Sequence, residues 1–438
     1  GDEVDVDRAA DAARAAFPKW SSTSRTERAD VLAKLADRLE ARADEIAGLI
    51  CDEVGTPLRT AQRIQASLPV TVLRSYVDLL SAGDEPERIA NTMVLREPLG
   101  VVAAIAPWNY PLHQVVAKLA PALAAGCTVV VKPSEVAPLT TSILLDELDR
   151  LDLPPGTVNL VNGRGHEVGA ALAAHPEIDG VSFTGSVRGG TAVSMAAAPT
   201  VKRVTLELGG KSANVVLDDA DLDLAVKVGV SNAFLNGGQT CTAWTRLVVP
   251  RPLMSRALEL AEQFAAAFAP GDPRAASTKL GPMASASHRD SVREYIQRGI
   301  DDGSLLVTGG PEVPTGFESG FYVRPTVFGD VDPNAAIAQE EIFGPVLCVL
   351  GHDGDEDAIE IANNSRFGLH GSVWSADHDR AMAVARAMRT GTVDVNGASY
   401  NPLAPFGGYK QSGNGREMGR YGLEEFEEVK SIQVKETF

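Results

Sequence analysis

From Pro98 onward, short apolar runs alternate with helical stretches, and few folds accommodate such a chain. Residues 101–105, 128–131, 158–161, 180–183 and 204–208 read as strands, with helices at 112–125 and 139–151 among them. That spacing argues for βαβ units and a parallel sheet. The runs are almost wholly apolar, so the sheet is expected to be covered on both faces. A second series follows Gly210. It reads as strand 214–217, helix 222–235, strand 247–249 and helix 253–268, with later strands at 346–350, 372–374 and 393–396. Residues 6–80 differ: they read as Ala-rich amphipathic helices. Within 28–50 the apolar face is Val31, Leu32, Leu35, Leu39, Ile46 and Leu49.

A single core stops growing at roughly 250–300 residues, so a chain of 438 is expected to form two domains. The Gly209-Gly210 pair is the expected crossing between them. Residues 84–96 are polar and then β-like, which suits an excursion from the first domain. The 58 acidic residues against 40 basic ones give a net charge of −18. Such a field repels nucleic acid and anionic membranes, so neither is an expected partner. Anionic cofactors remain compatible, because helix N-termini supply local positive potential. Cys51, Cys127, Cys241 and Cys348 are far apart and show no metal-ligand spacing. Reduced thiols in a cytoplasmic protein, with no metal, are the expectation. No apolar run is long enough to span a membrane, and the first residues lack the features of a signal peptide.

Several local patterns could carry chemistry. Cys241 follows Gly237-Gly238-Gln239-Thr240, and glycines there permit close approach of a ligand. Taken alone, a buried structural cysteine is the better reading of it. Glu207 ends an apolar strand, where desolvation would raise its pKa and make it a usable base; a salt bridge or a helix cap is the alternative. Asn109, between Pro107-Trp108 and Tyr110-Pro111, is either a cap or an amide donor for an oxyanion. Phe183-Thr184-Gly185-Ser186 follows a strand, and Gly189-Gly190 opens a helix, as at a phosphate-binding N-terminus. Gly163, Gly165 and Gly169 form a competing glycine loop.

The order of these patterns is more specific than any of them. P-W-N-Y-P (107–111), V-K-P-S-E (131–135), F-T-G-S (183–186), L-E-L-G-G-K (206–211), G-Q-T-C-T (238–242), E-E-I-F-G-P-V (340–346) and P-F-G-G-Y-K-Q-S-G-N-G-R-E (405–417) together resemble the aldehyde dehydrogenase superfamily over about residues 5–435. The resemblance implies a Rossmann-like α/β cofactor domain (1–80 and 99–208), an α/β catalytic domain (209–426) and a small β oligomerisation segment (81–98 and 427–438). It implies NAD(P)-dependent oxidation of an aldehyde to an acid. Cys241 would attack the aldehyde, Asn109 and the Cys241 N–H would hold the oxyanion, and Glu207 would activate water against the thioester. Lys118 and Glu417 would relay protons, or form a structural ion pair.

For the cofactor, the resemblance implicates Ile105, Pro107, Trp108, Lys132, Ser134, Glu135, Gly165, Phe183, Thr184, Gly185, Ser186, Gly190, Leu208, Gly209, Glu341 and Phe343. Glu135 beside the ribose would repel a 2′-phosphate, so NAD is favoured and NADP is the alternative. Tyr110, Ala117, Thr240, Thr242, Ser399, Tyr400 and Phe406 are expected to line a roomy substrate pocket that admits bulky or aromatic aldehydes. A homodimer or homotetramer is expected. Family members commonly carry several tens of residues before the stretch matching Gly1, forming an extra strand pair on the cofactor domain. The competing functions are a CoA-acylating relative, for which Glu207 would be dispensable, and a catalytically silent member serving as a binding or structural protein.

Overall fold

The computed structural model describes residues 1–83 and 87–435. Residues 84–86, the start of the expected excursion, and 436–438 lie outside the described residues. The chain opens with helices α1 (Glu3–Ser21), α2 (Arg25–Ala41), α3 (Ala43–Val54) and α4 (Ser67–Ser81). Both α1 and α2 start on capping boxes, Asp2 with Asp5 and Ser24 with Glu27, which satisfy first-turn N–H groups. A hairpin follows, β1 (Glu87–Ile89) with β2 (Thr92–Pro98).

The first α/β series is β3 (Val101–Ile105), α5 (Pro111–Ala125), β4 (Thr128–Lys132), α6 (Leu139–Leu148), β5 (Val158–Leu160), β6 (Gly180–Thr184), α7 (Val187–Ala197) and β7 (Arg203–Glu207). The second is β8 (Ala213–Val216), α8 (Leu222–Ala233), β9 (Arg246–Pro250), α9 (Met254–Ala265), α10 (Ala286–Asp301), β10 (Leu305–Thr308), β11 (Thr326–Gly329), β12 (Val346–His352), α11 (Asp355–Asn363), β13 (His370–Trp374), α12 (His378–Ala387) and β14 (Thr392–Val395). The chain then adds β15 (Gly413–Asn414), α13 (Gly419–Glu424) and β16 (Glu427–Gln433).

The first sheet runs β15-β7-β6-β3-β4-β5 and is parallel except at β15. Its strand order reverses between β3 and β6, the switch point at which doubly wound sheets open a crevice for ligand. The alternation of β3 explains why it reads as apolar throughout. Val101, Ala103 and Ile105 pack with α1, while Val102 and Ala104 pack with α2, α4 and α5. Each fully buried valine there contributes roughly 1.5–3 kcal/mol. The second sheet runs β10-β11-β12-β9-β8-β13-β14, parallel except at β10.

Several features depart from the sequence reading. The hairpin β10–β11 and helix α10 were not expected. The exposed edge strand β10 and the four-residue β11 are too short to show a period. The expected catalytic domain 209–426 does not keep its last part. β15 pairs with β7, and Met418, Leu423 and Phe426 join the core under α4 and α5. Burial of those apolar side chains draws the segment back across the first sheet. The last strand, Glu427–Gln433, pairs with β2 inside the expected 427–438 segment. Among the described residues, no helix is long and apolar enough to cross a membrane.

Candidate active site

Cys241 sits in a loop between α8 and β9 whose shape is set by three consecutive left-handed residues, Asn236, Gly237 and Gly238 (φ 55°, 68° and 72°). A Cβ on Gly238 would stand 2.1 Å from the carbonyl oxygen of Gly344, so only glycine fits. A buried network pins the loop. Asn236 Nδ2 donates to the carbonyls of Asn109 (3.1 Å) and Gln239 (3.3 Å), and Thr56 Oγ1 donates to Asn236 Oδ1 at 2.6 Å. Gln239 Oε1 accepts from the Ala284 N–H. Asn109 Nδ2 donates to Gln239 O at 3.1 Å, so its amide is tied to the cysteine loop. It does not cap α5; Tyr110 occupies that position without a side-chain bond.

Cys51, Cys127 and Cys348 are buried, whereas Cys241 is half-buried and borders two cavities. Its thiol is pushed up to about 12, by burial first and then by the carboxylates of Glu341 and Glu207. Attack therefore requires a proton acceptor.

Glu207 ends β7, opposite Thr184 on β6 and Gly413 on β15. Neither carboxylate oxygen has a hydrogen-bond partner among the described residues, so the salt-bridge and cap alternatives are not realised. Burial and, next, the charge of Glu417 raise its pKa well above the usual carboxylate range, against Lys118 and Arg416. Lys118 Nζ lies 2.5 Å from Glu417 Oε1 and 2.6 Å from Thr184 Oγ1.

The inner cavity, of about 240 Å³, lies at the strand-order switch point. Pro107, Trp108, Asn109, Thr184, Gly185, Ser186, Leu208, Gly209, Glu341 and Phe343 line it with Cys241. His288, which the sequence reading missed, also lines it and stands edge-on to Trp108 and Phe343. Nothing in the local sequence marks that histidine beyond the Ser285 cap of α10. Glu341 accepts from the Gly210 N–H, and burial lifts its pKa to about 7 against that bond and Lys211. Ser186 caps α7 through Gly189 N.

The remaining expected cofactor residues follow the carboxyl edge of the first sheet. Ile105, Lys132 and Phe183 are at or near strand ends, and Gly165 follows β5. Glu135 is held between Lys132 Nζ (3.2 Å) and the Gly165 N–H (3.2 Å). Burial opposes it, yet backbone N–H groups and Lys132 keep its carboxyl below the ordinary range. Ser134 Oγ accepts from Val136 N. A Cβ on Gly190 would meet Leu208 at 2.8 Å, so the glycine lets α7 pack close to β7.

The outer cavity is about 320 Å³ and takes Tyr110, Thr240, Thr242, Tyr400 and Phe406 from the expected set. Ala117 is instead enclosed in the helical core, and Ser399 is on an exposed stretch; neither lines the cavity. Unexpected lining residues include Ile64, Leu68, His113, Trp244, His370 and Asp394.

A half-buried thiol that opens on one side to a dinucleotide-type switch point defines a class: dehydrogenases that work through a covalent cysteine adduct. The chain belongs to the aldehyde dehydrogenase family, whose model matches residues 1–432, and it is an oxidoreductase acting on aldehydes. It is 50% identical to 3-succinoylsemialdehyde-pyridine dehydrogenase of Pseudomonas sp, over 99% of this chain and 91% of that protein. It is 42% identical to a putative aldehyde dehydrogenase of Staphylococcus saprophyticus, over 99% of this chain and 91% of that one. Among solved structures it matches aldehyde dehydrogenase C of Pseudomonas syringae, a cysteine-to-alanine mutant complexed with NAD+ and octanal. That match has a TM-score of 0.98 and 49% identity, over 99% of this chain and 89% of that one. Betaine aldehyde dehydrogenase of Staphylococcus aureus, in complex with NAD+, matches with a TM-score of 0.95 and 36% identity, over 99% and 87% of the two chains.

Proposed function

We propose that this protein oxidises bulky or aromatic aldehydes, among others, to carboxylic acids with NAD as acceptor, through a thioester on Cys241 that water activated by Glu207 hydrolyses. The observation that carries this reading is the position of Cys241 between two cavities, with an unpartnered, desolvated Glu207 carboxyl nearby. The residues present fit NAD. The aromatic rings of Trp108 and Phe343 and the apolar wall of Leu208 suit a flat ring, and Glu341 suits a ribose hydroxyl. The N-terminus of α7 suits a phosphate. Glu135 is fixed in its ionised form, which disfavours a 2′-phosphate. NAD, when bound, supplies the hydride acceptor.

The chain's own residues do the rest. Cys241 Sγ bonds to the aldehyde carbon, and its proton passes to a carboxylate. Asn109 is placed by Asn236 and Gln239 to donate to the resulting oxyanion. Loss of hydride from that carbon leaves the thioester. Glu207, ionised, takes a proton from water as the water attacks, and the acid departs as Cys241 regains its thiol. Lys118 and Glu417 hold a charged path beside Glu207.

The same reading covers assembly and location. β16 has a hydrogen-bonded neighbour on one side only among the described strands, and a second copy would cover that edge. A homo-oligomer in the cytoplasm follows, with reduced thiols throughout.

The experiment is NADH formation from octanal without CoA, followed by intact mass of Glu207→Gln after one turnover. Oxidation by wild type and an acyl-sized mass increase on the variant are expected. A strict CoA requirement would place the protein with the acylating relatives, and no NADH from any aldehyde would leave a binding role.

A further inference from the structure

The outer cavity carries a charge pattern that the reaction above does not use. Two carboxylates line it, Asp394 and Glu417. Glu417 is neutralised by Lys118 at 2.5 Å. Asp394 has no lysine or arginine partner among the described residues. Its Oδ2 lies 3.1 Å from Nε2 of His370, whose ring stands edge-on to Trp244 at 6.1 Å. Asp394 is on β14 and His370 on the adjacent β13, so the sheet fixes both. The Asp394 side chain is only 13% exposed, which leaves its charge weakly screened by solvent. Among the described residues that line the cavity, none is a lysine or an arginine. The rest of the wall is mostly apolar, with Tyr110, Trp244 and Phe406 among its larger members, and includes uncharged polar side chains such as Gln114, Asn232 and Thr242.

A substrate that brings a carboxylate into this cavity meets no lysine or arginine among the described lining residues. It meets a fixed negative charge instead. The excess of acidic over basic residues in the whole chain, 58 against 40, adds a long-range field of the same sign. An uncharged chain meets a largely apolar wall and no such repulsion. At separations of several ångströms, like charges in such a setting discriminate by roughly a hundredfold.

We propose that Asp394 is a specificity-determining residue of the aldehyde cavity, which rejects aldehydes bearing a distal carboxylate and admits uncharged ones. The inference rests on Cys241 acting as nucleophile at this cavity, as set out above. Its test uses octanal, 8-oxooctanoate and an equally long aldehyde ending in trimethylammonium, each with NAD, on wild type and Asp394→Asn. In wild type, kcat/KM for 8-oxooctanoate is expected to fall roughly a hundredfold below that for octanal, mostly through KM. The cationic aldehyde should not share that penalty. In Asp394→Asn the gap between octanal and 8-oxooctanoate should shrink at least about tenfold. Should Asp394→Asn fail to fold, as judged by its melting curve, Asp394→Ser takes its place, and the wild-type comparison stands by itself. Equal use of octanal and 8-oxooctanoate by wild type overturns the proposal. So does an unchanged ratio in a folded variant. Failure of octanal itself overturns the catalytic reading, so the two failures are distinguishable.

Discussion

The inner cavity beside Cys241 is walled by the turns after β3, β6 and β7, by a segment around Glu341 and by His288 of α10, whereas the outer cavity draws on α4, α5, α8, β13, β14 and the loop before β15. The first is built from places where a parallel sheet must end, and it holds a ligand by backbone as much as by side chain. The second is built wherever helices and loops of both series leave a gap. One is therefore a property of the fold, and the other a property of particular side chains. Substitutions near the thiol should act on every aldehyde alike, and substitutions in the outer wall should act on some aldehydes and spare others.

The largest effect is expected from Cys241→Ala, which should abolish NADH formation, by at least about 10⁴-fold, with every aldehyde tried. Turnover of any one aldehyde by that variant would break the comparison at its centre. Asn109→Ala should lower kcat by about 10²–10³-fold, by the same factor for short and long aldehydes. A factor that varies with the substrate would make Asn109 part of the outer wall. Gly238→Ala forces a Cβ towards the Gly344 carbonyl and moves the thiol loop, and a loss of about 10²-fold in kcat is expected from such misplacement. The smallest change in rate belongs to the outer wall. Ile64→Ala should alter kcat/KM for octanal by about tenfold, chiefly in KM, while leaving shorter aldehydes little affected.

Glu207 supplies a test by stability. A buried carboxyl with a raised pKa holds its proton in the folded state after the unfolded chain has lost it. Between the ordinary carboxylate range and the folded pKa, stability thus falls as pH rises. Glu207→Gln removes that loss. Its melting temperature should match wild type at acid pH and exceed it by a few degrees near neutrality. A wild-type advantage at neutral pH would show that the carboxylate is paired. Activity of the wild type should rise with pH over the same window, because the ionised base is the active form.

The same contrast explains what was legible in the sequence. Strands β3, β4 and β6 could be read because both of their faces are buried, and the turns after them could be read because glycine and proline mark them. Cys241, Asn109 and Glu207 came from the order of motifs, not from any local pattern. Gln239 lay inside a motif and Asn236 just before it, yet their role depends on Thr56 and Ala284, far away in the chain. His288, Trp244, His370 and Asp394 had no signal, because each reaches its cavity through packing of elements remote in sequence. Ala117 misled for a related reason. Its neighbours on α5 face the cavity, while its own methyl group is absorbed into the core.

The short strand β15 has a further consequence, in the timing of synthesis. Gly407 packs on Glu207 Oε1, Gly413 pairs with Glu207, and Glu417 engages Lys118, all from one late segment. A ribosome that has delivered the first sheet and its helices has not yet delivered the lid over the base. Until that segment emerges and threads back, Glu207 lacks part of the cover whose burial raises its pKa. Units of structure fold largely as they appear, but the first sheet cannot finish before the second series has been made, because β15 follows it. The nascent chain thus carries Glu207 and Cys241 before it carries residues 407–417, and the surroundings of Glu207 are complete only once those residues have been made.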